Sequence, residues 1–180
     1  MSEVLPRRDS FRTFLRKASD WYRGTQGDSL APYVPSPLDV VEKMLQMAEL
    51  REGDILYDLG CGDGRIVTMA AQRFHANCVG VELDDGRYNK CVQKVRELCL
   101  QNQVRIIHGN AMEVGLKDAD VVTLYLLTRS NEKLKPNLDR DLKTGARVIS
   151  HDFSMPGWIP TLVEEIRGVD TSHTIYLYKR

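Results

Sequence analysis

YDLGCGDGR, Tyr57 to Arg65, is the stretch that decides how this chain reads. An apolar run ends in it, Gly60 and Gly62 stand one residue apart, and a helical pattern follows. Glycine lets the backbone turn sharply and leaves no Cβ in the way of a ligand. A strand-to-helix turn of this kind lies at the switch point of a doubly wound sheet, where ligands bind. A tight turn with no ligand is the bland alternative. Glu82 weighs against it, because an acid ending the second strand about twenty residues on can accept ribose hydroxyls.

The same stretch separates two ligand classes. A dinucleotide loop wants glycine or alanine where this chain has Arg65. A pyrophosphate also prefers helix N–H donors with no anions beside them, whereas Asp58 and Asp63 flank this loop. Negative groups suit a ligand with a sulfonium and an ammonium, and disfavour two phosphates. The loop therefore fits S-adenosylmethionine better than NAD or ATP. The third strand runs into HGNAME, where Asn110 has two readings: an adenine contact, or a Gly-Asn turn. Ala111 leaves room for a ring.

Outward from the loop, strands and helices alternate. Pro37 sits where a helix can start, with Ser36 as its N-cap, and Val40, Val41, Met44, Leu45, Met47 and Ala48 form an apolar face ending near Gly53. DILYDLG, NCVGVEL, VRIIHGN, DADVVTLYLL and GARVISHDF read as strands, with helices over 64–74, 84–101 and NEKLKPNLDRDL between them. Pro136 requires that last helix to start near it or to bend. HTIYLYK alternates and reads as a late antiparallel strand. Apolar strands alternating with helices make the fold class α/β: one doubly wound, Rossmann-like sheet, mostly parallel, with a C-terminal antiparallel strand.

Residues 1–31 stand apart as an N-terminal amphipathic extension, with residues 32–180 as the domain. Phe11, Phe14, Leu15, Ala18, Trp21 and Tyr22 fall at helical spacing among Arg8, Arg12, Arg16, Lys17 and Arg23. Docking on the domain is the favoured reading; a membrane-surface helix or transit segment is the alternative, weakened by Glu3, Asp9 and Asp20.

Composition narrows the classes. The 180 residues carry zero formal net charge and are 42% hydrophobic, enough for one globular core and no reason to expect a nucleic-acid surface. No apolar run reaches the ~18 residues of a membrane span. Cys61, Cys78, Cys91 and Cys99 form no CxxC pair, so a reducing, cytoplasmic setting is expected. His75, His108, His151 and His173 are widely separated in sequence, and no metal is expected.

Taken together, YVPSP, YDLGCGDGRIV, VGVE, LYLLTRSNEKLKPNL and GARVISHDFSMPGW resemble the class I, seven-stranded S-adenosylmethionine-dependent methyltransferases. They are similar in particular to the small archaeal protein-lysine methyltransferases and their mitochondrial relatives acting on ATP synthase and adenine nucleotide translocase. The resemblance covers roughly residues 32–180. It implies a tyrosine–proline segment closing over the methionine end of the cofactor, with Tyr33, Pro35 and Ser36 lining that end beside Asp58 and Gly60. It also implies Glu82 at the ribose, Asn110 at the adenine, and Tyr125 facing the methyl group.

A lysine acceptor must lose its proton. An apolar channel and a neighbouring sulfonium both lower its pKa, so no dedicated base is required. Tyr125 and His151 are the catalytic candidates, as hydrogen-bonding or proton-handling groups, with Tyr33 beside them; a structural role for His151 is the alternative. TLYLLT lacks the Asn/Asp-Pro-Pro-aromatic run of amino-methylating nucleic-acid enzymes, so the expected partner is a protein with an accessible lysine. An isoaspartyl-type carboxyl methyltransferase and a non-catalytic cofactor-binding partner protein are the alternatives. About twenty residues follow Trp158, too few for an added small-molecule domain.

Overall fold

The structure, a computed structural model, describes residue 31, residues 33–167 and residues 172–180. The expected N-terminal amphipathic extension lies outside the described residues, apart from residue 31. From Leu38 onward helices and strands alternate: α1 (Leu38–Met47), β1 (Ile55–Leu59), α2 (Arg65–Phe74), β2 (Asn77–Glu82), α3 (Asp85–Glu97), β3 (Val104–His108), β4 (Val121–Leu124), α4 (Thr128–Asp141) and β5 (Arg147–His151), followed by β6 (Leu162–Arg167) and β7 (Ser172–Lys179).

The strands form one seven-stranded sheet in the order β3-β2-β1-β4-β5-β7-β6. Pairing is parallel from β3 to β5, with registers such as Leu56↔Cys78 and Leu56↔Val121. β7 runs antiparallel to both β5 and β6. The doubly wound architecture with an antiparallel C-terminal strand is thus present. Strand order reverses between β1 and β4, which opens a crevice at their carboxyl ends.

Burial on both faces explains the unbroken apolar character of the central strands. Every residue of β4 is buried. Leu56, Cys78, Val104, Val121 and Ile149 belong to a core shared with Val41, Met44 and Leu45 of α1 and Val67 and Ala70 of α2. Their neighbours Leu59, Val81, Val122, Leu124 and Val148 belong to a second core with Leu134 and Leu138 of α4. Alternation along each strand sends successive side chains to opposite faces.

Four local expectations need correction. Ser36 is not an N-cap: Pro37 occupies that position without a side-chain hydrogen bond, and the Ser36 hydroxyl turns inward. α1 stops at Met47 rather than near Gly53, and α3 ends at Glu97 because Leu98 caps it and Cys99 turns left-handed at φ 55°. α4 begins three residues before Asn131 and runs through Pro136; the proline is exposed, so its missing N–H falls on the solvent side. β6 is a strand the sequence does not announce. It is a sheet edge whose Leu162 and Val163 are 47% and 48% exposed, which erases the inside–outside alternation that marks a half-buried strand.

Leu124 is fully buried in the innermost strand. Leu124→Ala is expected to cost about 2–5 kcal/mol by cavity formation, read as a lower urea midpoint with unchanged slope. A loss below about 1 kcal/mol would contradict the core assignment.

Candidate functional site

The crevice at the ends of β1, β2 and β4 is a cleft that opens to solvent. Tyr33, Pro35 and Ser36 wall one side; Asp58, Gly60 and Gly62 form its floor; Glu82, Asn110, Ala111 and Tyr125 complete it. The structure therefore brings together every sequence-derived candidate except His151, which is fully buried and does not line the cleft.

The floor is built by Glu82. Its Oε2 accepts the Gly62 N–H at 2.9 Å, and its Oε1 accepts the Asp84 N–H at 2.9 Å and Arg87 Nη2 at 3.1 Å. A carboxylate has about four acceptor positions, so one is left for a ligand hydroxyl, and a second opens only if Arg87 swings aside. Gly62 has φ 56°, and a Cβ there would lie 2.6 Å from Tyr33 Cε2. Glycine is needed both for the turn and for the tyrosine ring that covers it.

Arg65, the residue that departs from a dinucleotide loop, holds the wall in place. Its Nη1 donates to the Ser36 carbonyl at 2.6 Å, while Nε and Nη2 grip Asp63 at 2.9 and 2.6 Å. Arg87 lies 5.5 Å from the centre of the Tyr33 ring, a cation–π distance. The segment 33–36 is a strap tied down by two arginines.

Asp58 supplies the charge. It is 2% exposed, and Thr123 Oγ1 donates to its Oδ1 at 2.8 Å. Burial pushes its carboxyl up to about 7; the Thr123 hydrogen bond opposes this, and the charges of Glu82 and Asp63 add to it. A cationic ligand would relieve that penalty. Asn110 realises the turn reading as well as lining the cleft, since its Oδ1 accepts the Met112 N–H at 2.9 Å.

Tyr125 closes the far end. Its hydroxyl donates to Asp152 Oδ2 at 3.4 Å, and its ring stacks on His151 with centroids 3.8 Å apart. Burial raises the phenol pKa, and the Asp152 charge raises it further, so the hydroxyl keeps its proton. His151 Nδ1 meets Ser36 Oγ at 2.9 Å, and its Nε2 meets His173 Nδ1 at 2.9 Å. Burial pushes His151 down to about 4 against the Asp152 charge, with His173 assisting, so the imidazole is neutral at pH 7. The two histidines, 22 positions apart, are neighbours because β5 pairs with β7. Sequence reasoning misses Arg87, Asp152 and His173 and reads Arg65 only as a departure; nothing in local spacing marks Asp152 or His173.

Residues 58–162 match the ANTKMT methyltransferase domain. The chain is 45% identical to a protein-lysine N-methyltransferase of Saccharolobus islandicus (strain REY15A), the match covering 82% of this chain and 92% of that protein. It is 31% identical to the adenine nucleotide translocase lysine N-methyltransferase of Mus musculus, over 73% of this chain and 57% of the relative. Among solved structures it is similar to an RNA methyltransferase from Salinibacter ruber in complex with S-adenosyl-L-homocysteine, at 40% identity and TM-score 0.77, covering 81% of this chain and 93% of that one.

Asp58 sets a pH signature. Its folded pKa of about 7 lies above the 3.8 of an ordinary carboxyl, so the folded state holds this proton longer and ligand-free stability falls as pH rises from about 4 to about 7. Asp58→Asn should abolish that penalty. Its stability relative to wild type is expected to improve by about 4 kcal/mol between pH 4 and pH 8 in urea titrations. A pH-independent difference would contradict the buried-carboxylate account.

Proposed function

The chain belongs to the ANTKMT methyltransferase family, and we propose that it transfers a methyl group from S-adenosylmethionine to lysine side chains of protein substrates, with Tyr125 orienting the acceptor amine. The cofactor supplies a methyl group on a positively charged sulfur. The residues present fit it. Asp58 and Glu82 put carboxylates at adjoining strand ends, Gly62 keeps the floor clear of a Cβ, and Ala111 offers a small side chain beside Asn110.

Within that cleft Asp58 would meet the cationic end and Glu82 the ribose, under the wall of Tyr33, Pro35 and Ser36. Tyr125 donates its own proton to Asp152, which leaves the hydroxyl lone pairs to accept a hydrogen from an incoming amine and aim its lone pair. Alignment of this kind can supply ~7–11 kcal/mol in favourable cases. Burial beside a cation lowers the lysine pKa, so the ammonium yields its proton to solvent water at the open cleft before transfer. The observation that carries the reading is the neutral Tyr125 hydroxyl held by Asp152 at the edge of an acidic cleft.

The Salinibacter neighbour makes RNA the acceptor to test against. Asp63 and Glu82 are each paired with an arginine, and the further carboxylate of Asp58 favours a cationic group in the cleft over a polyphosphate one. Incubating the protein with methyl-labelled cofactor, a protein extract and total RNA should place label in Nε-methyllysine after acid hydrolysis. Label in RNA, or in a base-labile methyl ester, would refute the lysine reading. Tyr125→Phe is expected to lower kcat at least about tenfold while cofactor affinity stays within about twofold; an unchanged kcat would remove Tyr125 from the reaction.

A further inference from the structure

A buried polar cluster lies behind the cleft. Four segments distant in sequence converge there: Ser36 of the strap, Tyr125 after β4, His151–Asp152 at the end of β5, and His173–Thr174 at the start of β7. Of these, only Ser36 and Tyr125 line the cleft. His151 and His173 are 0% and 5% exposed, so no ligand in the cleft touches them through open space.

The contacts form a chain that closes on Asp152, whose Oδ2 lies 3.4 Å from His151 Nε2 as well as against His173. Ser36 Oγ meets His151 Nδ1 at 2.9 Å, His151 Nε2 meets His173 Nδ1 at 2.9 Å, and His173 Nδ1 meets Asp152 Oδ2 at 3.2 Å. Asp152 is fixed in turn. Its Oδ1 accepts the Thr174 N–H at 2.9 Å, its own N–H donates to the Thr174 carbonyl at 2.7 Å, and its φ of 58° is unusual for a residue with a side chain. Strain at such a position survives only where surrounding contacts over-determine it. Two nitrogens 2.9 Å apart admit one proton between them, with the tautomer setting which ring donates, so the histidine pair acts as one donor–acceptor unit.

We propose that His173 is a positioning residue for the cofactor strap, acting through His151 to hold Ser36 against the cleft while the His151 ring supports Tyr125 from behind. The unit couples β7, which contributes nothing to the cleft wall, to both ends of the reacting geometry. It rests on the cleft being the cofactor site and is independent of which acceptor is methylated. Ordering a strap in advance removes entropy that binding would otherwise have to supply.

Cofactor affinity, measured by calorimetry on the full chain with no acceptor present, tests this separately from the lysine reading. Ser36→Ala and His173→Leu are each expected to weaken S-adenosylmethionine binding about fivefold, and the double variant no further, because both cut one chain. His173→Asn, whose amide falls where Nδ1 stands, should return affinity to within about twofold of wild type, whereas His173→Gln, one carbon longer, should not. If His173→Leu fails to fold, the Gln variant takes its place in the cycle. Additive losses, or an Asn variant no better than Leu or Gln, would overturn the proposal. So would a stoichiometric divalent cation in the purified protein, since His151, Asp152 and His173 bring three ligand atoms within 4.8 Å of one another and a metal would replace the shared proton.

Discussion

The carboxylate of Glu82 ties two strands and a loop into one floor. By accepting the Gly62 N–H it holds the glycine turn after β1 against the end of β2, and by accepting the Asp84 N–H it starts α3 at a fixed place. Asp84 then caps that helix by accepting the Arg87 N–H, and Arg87 comes back across to Glu82 and the Tyr33 ring. The floor, a helix start and one side of the strap thus depend on a single side chain that is 5% exposed. Hydrogen bonds from backbone N–H groups to an ionised acceptor are among the stronger ones available to a protein.

Charge is arranged around that floor with opposite purposes. Asp63 is neutralised by Arg65, which uses its Nη1 to hold the Ser36 carbonyl. Asp58, by contrast, accepts from the Thr123 hydroxyl among the described residues, and burial makes its ionised form costly. An acid in this state strengthens the case for a cationic ligand and weakens the case for a phosphate.

The glycine loop, Glu82 and the strap are legible because each sits in a contiguous motif whose spacing follows from strand–turn–helix geometry. The sheet is legible for a related reason: strands buried on both faces leave long apolar runs. β6 lacks that signal as an exposed edge. The role of His151 is out of reach, since its partners Ser36 and His173 are distant in sequence and meet only through the antiparallel pairing of β5 with β7. Ser36 shows the limit most plainly. Its place before Pro37 fits an N-cap, yet the buried histidine nitrogen takes its hydroxyl, a tertiary contact overriding local preference.

A buried, half-protonated Asp58 that accepts a cationic cofactor is the premise on which the site's chemistry stands. Calorimetric titration of S-adenosylmethionine at pH 6.5, in two buffers of different ionisation enthalpy, tests it directly. Binding should release a substantial fraction of one proton, a release that vanishes in Asp58→Asn and at pH 9, because a nearby positive charge lowers the Asp58 pKa from about 7. Proton uptake, no proton exchange, or an unchanged release in Asp58→Asn would contradict the account.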